Sequence, residues 1–533
     1  MQMFNIIAAI FMSTLVIIAF FLPRRVMAEN PWYVRHEKIL FWAIAALTIL
    51  VRVIAFLEVP GGLNQDEASM GYDAWATAFF GIDRNGTHMP VYAISWGSGQ
   101  NVLLMYITAV FVRIFGLSVF TARLGSLLLG VSSPIVLYFL VKRLSASETA
   151  RDKAVKSLTA MFMLAICPWH IMISRWALES NALPGVFLIA VYLIVVALQN
   201  KNTLSLCAAA AVLALSMYSY ATVCLIMPLF VLCLAVFLLW KKTIPLRRIL
   251  CAAGVFAIIS VPIILFYIVN IFKLGEIATP LFTVPRLTTF RSTVMLDSVA
   301  QNFYNLIKLI ITQNDGLIWN SIESIGTTYI FLTPFLPIGI WAVARRRGHS
   351  LIMALWLACA VILGSIININ INRINFIYIP IVYFICEGIY FTAERVAGKA
   401  GYLICAAVLV GFIAFNVRYF GGEYGGRIAR QFYDGFGDAV KFADALDTDK
   451  IYVKDGNYTL VLFFSQMNPH EFADTVVYSH PDAEFRPVIT YGKFSTIFPA
   501  EADMDAAYII QNSRVGEFAD FNIRTFENYS VAY

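Results

Sequence analysis

Two adjacent carboxylates, Asp66 and Glu67, follow the second long apolar segment of the chain. Gly61 and Gly62 interrupt the preceding helical pattern, and residues 67–78 can form a helix again. Acidic residues at a helix start are stabilised by the helix dipole alone, but carboxylates this close to hydrocarbon are costly to hold. Because neighbouring positions do not share a helix face, we expect the two acids to have different partners. A carboxylate placed here could accept a proton from the hydroxyl group of a substrate.

Two polar clusters with arginines stand at the ends of later apolar segments. Arg175 and Glu179 are one helical turn apart, so they could simply pair with each other. Arg373 stands among four asparagines in the segment 368–375, one of which is Asn372. An arginine at the end of a membrane span is routine, but asparagines at such an interface need hydrogen-bond partners. Since a guanidinium can bind a phosphate through two parallel hydrogen bonds, both arginines are candidate phosphate contacts.

The composition excludes several classes of protein. Of the 533 residues, 60% are hydrophobic and only 14% are charged, and the mean hydropathy is +0.74. A soluble domain carries about 25% charged residues, so a soluble globular protein is excluded. The net charge of +6 is divided unevenly, because residues 420–533 hold 9 Lys and Arg against 17 Asp and Glu, and the remainder holds 30 against 16. With no basic stripe for nucleic acid, the pattern indicates a multi-pass membrane protein with one acidic, water-exposed domain.

Twelve segments are apolar and long enough to cross a membrane, for which about 20 residues are needed. They are 3–22, 39–57, 119–141, 157–174, 181–199, 204–220, 222–240, 248–271, 324–344, 350–367, 374–392 and 400–419. Four connections between them are basic and contain Arg24, Lys142, Lys241 and Arg345. All four lie on one face of the membrane if the shorter apolar segment 100–116 does not span. We therefore predict that this segment is an interfacial or re-entrant helix and that the basic face is cytoplasmic.

This topology divides the chain into three parts. Residues 1–38 form an additional N-terminal span and a cytoplasmic loop, residues 39–419 form a helical membrane domain, and residues 420–533 form a domain outside the membrane. The loop 58–118 and both arginine clusters then lie on the outer face. Alternating helical and strand-like patterns predict a small α/β domain in the acidic tail. Its expected strands are 450–454, 475–478, 487–491, 507–510 and 528–533.

The outer face therefore collects side chains that suit one kind of substrate. They are the acids Asp66, Glu67 and Glu179, the arginines Arg175 and Arg373, and the loop residues Tyr72, Trp75, His88, Tyr92 and Trp96. A lipid-phosphate-linked substrate would keep its phosphate at headgroup level while its tail lies among the helices. An arginine would bind the phosphate, and a carboxylate would act on an incoming hydroxyl group.

The order of short motifs along the chain resembles that of the protein O-mannosyltransferase-like family. In the first loop and the helix after it, the motifs are Gln65-Asp66-Glu67, Gly71-Tyr72-Asp73-Ala74-Trp75, Asp83-Arg84-Asn85-Gly86, Trp96-Gly97-Ser98-Gly99-Gln100-Asn101, Phe115-Gly116-Leu117-Ser118 and Ala122-Arg123-Leu124. Further on, Ser174-Arg175 with Glu179 resembles an S-R…D element of that family, and Asn372-Arg373 resembles its late arginine-containing turn. The resemblance covers roughly residues 39–395. It implies the GT-C fold, which is shared with the aminoarabinose transferase of lipid A and with oligosaccharyltransferase catalytic subunits.

The resemblance implies an inverting glycosyltransferase that uses a polyprenyl- or dolichyl-phosphate monosaccharide. It assigns the catalytic acid to Asp66, with Glu67 beside it. Glu179 stands where the family often has Asp, and His88 stands where related transferases carry Lys. The implied architecture is an α-helical membrane protein with about 12 spans, an interfacial helix and a small C-terminal α/β domain outside a bacterial plasma membrane. The expected acceptor is a protein, a glycolipid or an envelope polymer, and nucleic acid is not an expected partner.

The proposed chemistry is a single displacement at the anomeric carbon. Asp66 would act as general base on the acceptor hydroxyl, and Arg373 with Arg175 would stabilise the departing lipid phosphate. The candidate substrate-binding residues are Glu179, Tyr72, His88 and Asn372. A divalent metal held by Asp66 and Glu179 stays open as an alternative, and no other cofactor is expected.

Two other functions stay open at this point. A transporter or flippase of a lipid-linked sugar would place charges in the middle of facing helices. Here the charges cluster at the ends of the spans, with Arg52 and Glu387 as modest exceptions. A non-catalytic receptor would instead depend on the outer domain, residues 420–533, to bind a partner.

Overall fold

The computed structural model describes the chain except for residues 26–30, 96–97, 242–243, 291–293, 347, 397, 455 and 484–485. Most of the chain is helical. The first twelve helices are α1 (Gln2–Phe21), α2 (Trp32–Arg35), α3 (Glu37–Val53), α4 (Gln65–Phe80), α5 (Leu103–Phe115), α6 (Val119–Leu144), α7 (Ala150–Ala165), α8 (Pro168–Ile173), α9 (Glu179–Asn200), α10 (Thr203–Ser216), α11 (Ala221–Lys241) and α12 (Leu246–Ile271). The others are α13 (Val299–Thr312), α14 (Phe335–Arg346), α15 (Leu351–Ile366), α16 (Tyr378–Ala393), α17 (Gly398–Tyr419), α18 (Gly422–Gln431), α19 (Phe436–Asp444), α20 (Tyr458–Ser465) and α21 (Pro469–Thr475).

Seven helices in the described part of the chain are long and apolar enough to cross a membrane. They are α1, α6, α9, α11, α12, α16 and α17. Each of the twelve segments expected to span coincides with at least one helix, although the segment 157–174 is divided between α7 and α8. The prediction of a multi-pass helical membrane protein is confirmed, and the number of twelve spans stays a prediction.

The segment between α3 and α6 leaves the helical bundle and returns to it at the same end. Arg123, near the start of α6, donates to the carbonyl oxygens of Pro60 (2.9 Å) and Gly62 (2.8 Å), which follow α3. Helices α4 and α5 therefore lie together at this end, which we call the loop end. Gly116, with φ +79°, ends α5, and Ser118 caps the start of α6. This arrangement agrees with the prediction that the segment 100–116 does not cross the membrane.

The opposite end of the bundle, which we call the basic end, is held by ion pairs between the basic connections. Arg24 pairs with Asp152 at 2.7 Å, which joins the connection after α1 to the start of α7. Arg346, at the end of α14, pairs with Glu148 at 2.6 Å. Three of the four basic connections thus meet at one end, as the positive-inside distribution predicts.

The acidic tail forms the predicted sheet. The strands of the whole molecule are β1 (Ala93–Ser95), β2 (Ser98–Gln100), β3 (Ile277–Ala278), β4 (Thr283–Val284), β5 (Ile451–Val453), β6 (Val477–Tyr478), β7 (Val488–Tyr491), β8 (Phe494–Ser495), β9 (Ala507–Gln511), β10 (Ile523–Thr525) and β11 (Tyr529–Ala532). The tail contributes a seven-stranded sheet in the order β10-β11-β9-β5-β8-β7-β6. The central strand β5 is parallel to both of its neighbours, and the other pairs are antiparallel. The five expected strands correspond to β5, β6, β7, β9 and β11, whereas β8 and β10, with one apolar residue each, are not predicted.

The sheet domain packs directly on α4. The hydroxyl of Tyr72 donates to the carbonyl oxygen of Met467 at 2.6 Å, and the hydroxyl of Thr459 donates to the carbonyl oxygen of Gln65 at 3.2 Å. Gly71 is needed at this contact, because a Cβ atom there would lie 2.6 Å from the ring of Phe463. One apolar core continues from α4 into α19, α20 and the sheet, so the domain is fixed against the loop end of the bundle.

Candidate functional site

Asp66 lies in the first turn of α4, where a capping box holds the helix start. The side chain of Asn64 accepts from the N–H of Asp66 at 2.9 Å, and the side chain of Glu67 accepts from the N–H of Asn64 at 3.0 Å. This reciprocal pair satisfies two N–H groups that the helix itself leaves free. The carboxylate of Asp66 is therefore presented from a fixed backbone.

Glu67 is fully buried and has a complete set of partners. Its two carboxylate oxygens accept from Arg123 at 2.9 and 3.0 Å, and one of them also accepts from the N–H of Ala177 at 2.7 Å. These bonds tie α4 to α6 and to the turn before α9. The expectation that the two acids have different partners agrees with this geometry. Its contacts make Glu67 a residue that positions α4 rather than one that reaches a substrate.

Asp66, in contrast, is half-buried and borders a cavity of about 420 Å³ between α4 and the sheet domain. Among the described residues its carboxylate has no ion-pair partner. The pKa of Asp66 is raised to about 6, mainly by burial and also by the nearby charge of Glu67, while the charge of Arg84 opposes the shift. A carboxylate with this pKa can accept a proton near neutral pH, which is what a general base requires.

A buried charged cluster around Arg84 packs against α4. Arg84 is 1% exposed, pairs with Asp73 on α4 at 3.3 Å, and donates to the hydroxyls of Ser69 (2.8 Å) and Ser95 (3.1 Å). Asp83 accepts from two backbone N–H groups of its own turn, and burial raises its pKa to about 7. The Asp83-Arg84 motif thus fixes the segment between α4 and α5 against α4.

Arg175 lies away from the site. Its guanidinium is fully buried and donates to the carbonyl oxygens of Val59 (2.8 Å) and Arg52 (2.9 Å), and it lies 5.1 Å from the centre of the Phe420 ring. This arginine caps the carboxyl end of α3, where the helix leaves carbonyl oxygens without partners. The structure does not bring Arg175 to a position where it could contact a donor phosphate, and Arg175 does not pair with Glu179.

Glu179 begins α9 and is half-buried. Its carboxylate accepts from the backbone N–H of Asn101, and it is close enough to Asp66 for the two charges to interact. The amide oxygen of Asn101 accepts from the N–H groups of Tyr220 (3.1 Å) and Ala221 (2.7 Å). Glu179 therefore holds the end of the first loop against the turn between α10 and α11.

Arg373 lies in the turn between α15 and α16 and is half-buried. It donates to the carbonyl oxygen of Asn368 at 3.0 Å, and in the part of the chain that the structure describes no carboxylate pairs with it. Asp315 holds this turn by accepting from the N–H of Ile371 at 2.9 Å. The side-chain oxygen of Asn372 is buried and has no hydrogen-bond partner in the structure. An unneutralised guanidinium in a fixed turn is suited to bind an anion.

Tyr220, which the sequence analysis did not single out, links these groups. Burial raises the pKa of its phenol, the charge of Glu179 raises it further, and the hydrogen bond and charge of Arg373 lower it; the charge of Asp66 also acts on it. The turn that carries Tyr220 is joined to Arg373, because the hydroxyl of Thr222 donates to the carbonyl oxygen of Arg373 at 3.3 Å, and it is joined to Glu179 through Asn101. The only sequence signal for Tyr220 is its place in a short polar stretch between two apolar helices.

Tyr72 and His88, the two other expected substrate contacts, do not line the cavity beside Asp66. Tyr72 points into the sheet domain, as described above, and is fully buried. His88 is exposed, and its ring is hydrogen-bonded to the carbonyl oxygen of Gly81 at 3.0 Å. Tyr92 is buried and stacks on Phe266 with ring centres 4.2 Å apart. Trp96, also expected near the site, lies outside the described residues.

The donor set for a divalent metal is incomplete. Within the described residues no group of three or more His, Cys, Asp or Glu side chains is close enough to hold an ion. Asp66 and Glu179 supply two carboxylates, and Glu179 already accepts a backbone hydrogen bond. Two carboxylates would hold a divalent cation only together with water or phosphate oxygens, and no step of the reaction is assigned to a metal.

A family model and several solved structures are similar to this chain. Residues 100–269 match the family described as dolichyl-phosphate-mannose-protein mannosyltransferase. The crystal structure of ArnT from Cupriavidus metallidurans in the apo state aligns with a TM-score of 0.53 and 15% identity, and covers 93% of this chain and 97% of that one. The same protein bound to undecaprenyl phosphate gives a TM-score of 0.54 and 15% identity over 95% and 98%.

More distant similarity adds no argument. The crystal structure of the Archaeoglobus fulgidus oligosaccharyltransferase with Zn and sulfate has a TM-score of 0.48 and 12% identity, over 80% of this chain and 61% of that one. No curated protein matches the sequence. The ArnT structures and the family match together confirm the GT-C fold and the resemblance on which the sequence analysis relies.

Proposed function

We propose that this protein is an inverting membrane glycosyltransferase that moves a monosaccharide from a polyprenyl-phosphate carrier to an acceptor hydroxyl group. The observation that carries the proposal is the presence at the loop end of a carboxylate, Asp66, and a guanidinium, Arg373, neither of which has an ion-pair partner among the described residues. A sugar transfer of this kind needs one base and one anion-stabilising group. The GT-C fold and the family match over 100–269 support the same reaction class.

The reaction is a single displacement. The acceptor oxygen attacks the anomeric carbon, and Asp66 takes the proton of its hydroxyl group. As the new carbon–oxygen bond forms, the bond from the anomeric carbon to the phosphate oxygen breaks, and the phosphate leaves with the electron pair. Arg373 stabilises the charge on the departing lipid phosphate, and the free side-chain oxygen of Asn372 offers an acceptor beside it for a donor hydroxyl.

The other expected site residues take supporting roles. Glu67 and Arg123 fix the start of α4, so that Asp66 keeps its direction. Glu179 holds Asn101 and, through it, the turn that carries Tyr220. In this arrangement Glu67 and Glu179 are positioning residues, and Asp66 is the catalytic base.

The positive-inside distribution supports an orientation with the basic end in the cytoplasm. The loop end and the sheet domain then face the outside of a bacterial plasma membrane. ArnT, whose structure is similar, has been crystallised with undecaprenyl phosphate, and a lipid carrier of that class fits a site at the membrane surface. The acceptor is a component of the cell envelope: a protein, a glycolipid or a polymer.

Replacement of the base tests the proposal. We expect Asp66→Asn to lower sugar transfer by about 10² to 10⁴-fold, the range for loss of a general base. The measurement is mass spectrometry of envelope glycans from a deletion strain that carries either the wild-type or the variant gene. Asp438→Asn, an exposed acid on α19, is the matched control and should restore wild-type glycans.

Two results would contradict the proposal. Wild-type glycans in the Asp66→Asn strain, with the protein present in membranes, would remove the base assignment. Movement of labelled lipid-linked sugar across vesicles containing the purified protein, without covalent transfer, would instead identify a flippase.

A further inference from the structure

The cavity beside Asp66 is built jointly by two parts of the molecule. Gln65 and Asp66 come from α4, and the remaining lining residues come from the sheet domain, among them Asn457, Tyr458 and Arg486. The amide of Asn457 donates to the side-chain oxygen of Gln65 at 3.3 Å, which closes the junction between the two parts. A volume of about 420 Å³ lies within the usual range for pockets that bind small ligands.

Arg486 brings the positive charge to this cavity. Among the described residues no carboxylate forms an ion pair with it, and its Nε atom is buried without a hydrogen-bond partner. One Nη group donates to the hydroxyl of Thr288, which anchors the end of the side chain. The guanidinium lines the cavity, lies 5.8 Å from the centre of the Tyr478 ring, and has no carboxylate partner among the described residues, so it can bind an anion that enters the cavity.

The other lining residues are of the kind that bind sugars. Gln65, Asn457 and Thr496 supply amide and hydroxyl groups, which can exchange hydrogen bonds with sugar hydroxyls. Tyr458 supplies an aromatic ring, held by stacking on Phe472 with ring centres 5.8 Å apart. An acidic peptide would not need this combination of several neutral polar groups with a single cation.

We infer that this cavity is the acceptor site and that it takes a phosphorylated sugar unit. Arg486 binds the phosphate of that unit, and one of its sugar hydroxyl groups faces Asp66. The part of this inference that concerns Asp66 rests on the proposed function, whereas the binding of the sugar phosphate does not. The sheet domain then selects the acceptor, and α4 supplies the base.

The test compares two probes that differ only in the phosphate group. Binding of glucose 1-phosphate and of glucose to the purified full-length protein is measured by isothermal titration without any donor. We expect the wild-type protein to bind glucose 1-phosphate at least about tenfold more tightly than glucose, and Arg486→Gln to lose that preference. The control is Arg524→Gln, an exposed arginine on β10 at the opposite edge of the sheet, which should keep it.

The remaining outcomes are decisive as well. A preference that persists in Arg486→Gln, or is absent from the wild-type protein, overturns the inference. Glucuronic acid binding as tightly as glucose 1-phosphate overturns the assignment of phosphate in favour of a carboxylate. An unchanged melting temperature of Arg486→Gln shows that a lost preference is not a folding defect.

Asp66→Asn separates this inference from the proposed function. We expect it to keep the preference for glucose 1-phosphate over glucose, because Arg486 holds the phosphate, although the affinity for both sugars can change with the loss of the Asp66 charge. If Asp66→Asn still transfers sugar in cells, the base assignment fails while the binding preference stands. If Arg486→Gln keeps the preference for glucose 1-phosphate while Asp66→Asn loses sugar transfer, the acceptor assignment fails and the transferase proposal stands.

Discussion

The two ends of the bundle use charge in opposite ways. At the basic end, each of four acids has two basic partners, so the charges neutralise one another. These acids are Glu148, Asp152, Glu387 and Glu394, and their partners are Arg24, Arg151, Lys156 and Arg346. At the loop end, neither Asp66 nor Arg373 has an ion-pair partner among the described residues. The first arrangement holds helices together, and the second leaves charge for a ligand.

This difference in ion pairing matters because cavity size alone would place the site at the basic end. The cavity at the basic end has a volume of about 530 Å³, larger than the 420 Å³ beside Asp66. Its acidic lining residues are all engaged in ion pairs, and such pairs are common in structural networks. A carboxylate that has a raised pKa and no ion-pair partner among the described residues distinguishes the loop end instead.

Of the three tests of the difference between the two ends, Arg373→Gln should have the largest effect on sugar transfer. We expect it to lower sugar transfer by about 10² to 10³-fold, as loss of an electrostatic contact to the leaving group does. Arg373→Lys should recover only part of the activity, because a lysine keeps the charge and lacks the planar fork. Envelope glycans measured by mass spectrometry report both variants, and full activity of Arg373→Gln would show that the loop end is no different from the basic end.

The pH dependence of transfer gives an intermediate effect. Asp66 acts as a base only when ionised, and its pKa is raised to about 6. Below that pH we expect the rate to fall about tenfold per pH unit, and above it to level off. The measurement is the initial rate of transfer by membranes between pH 4.5 and 8, at saturating donor. A rate that rises as the pH falls below 6 would contradict the base assignment.

Arg346→Gln should give the smallest effect. Its side chain is 34% exposed and pairs with Glu148 and Glu387, so we expect a loss of about 1 kcal/mol or less in stability. Sugar transfer should stay at the wild-type level, since the basic end lies away from the site. Thermal unfolding of the purified protein measures stability, and glycan analysis measures sugar transfer. A large loss of transfer would show that the basic end contributes to the reaction.

Much of the fold followed from periodicity and charge. Long apolar runs and four basic connections are local features, and they gave the helices, the loop end and the sheet domain. Two strands were missed, because β8 (Phe-Ser) and β10 (Ile-Arg-Thr) each contain a single apolar residue, whereas the equally short β5 and β6 are apolar throughout. Asp66 and Arg373 were found because charged groups stand out at the ends of apolar segments.

The partners of those groups could not be read from the chain. Glu67 accepts a hydrogen bond from Arg123, which is 56 positions away in the sequence, and Arg175 donates to Val59, which is 116 positions away. Both are typical candidates for a site by residue type, and only the packing of α4, α6 and α3 shows that their hydrogen bonds are already used. The assignments of catalysis to Glu67 and of phosphate binding to Arg175 therefore have no support in the geometry.

The sequence by itself determined that this is a membrane protein, and that one acid and one arginine stand at the ends of its apolar segments. These properties follow from hydrophobicity and charge, which each segment carries alone. The tertiary structure decided which charges stay free. It also decided that Thr222 joins the turn of Tyr220 to Arg373 and that Arg486 lines the cavity of Asp66 from more than 400 positions away. The physical reason is that a charge is available to a ligand only when no neighbour satisfies it, and neighbours are chosen by packing.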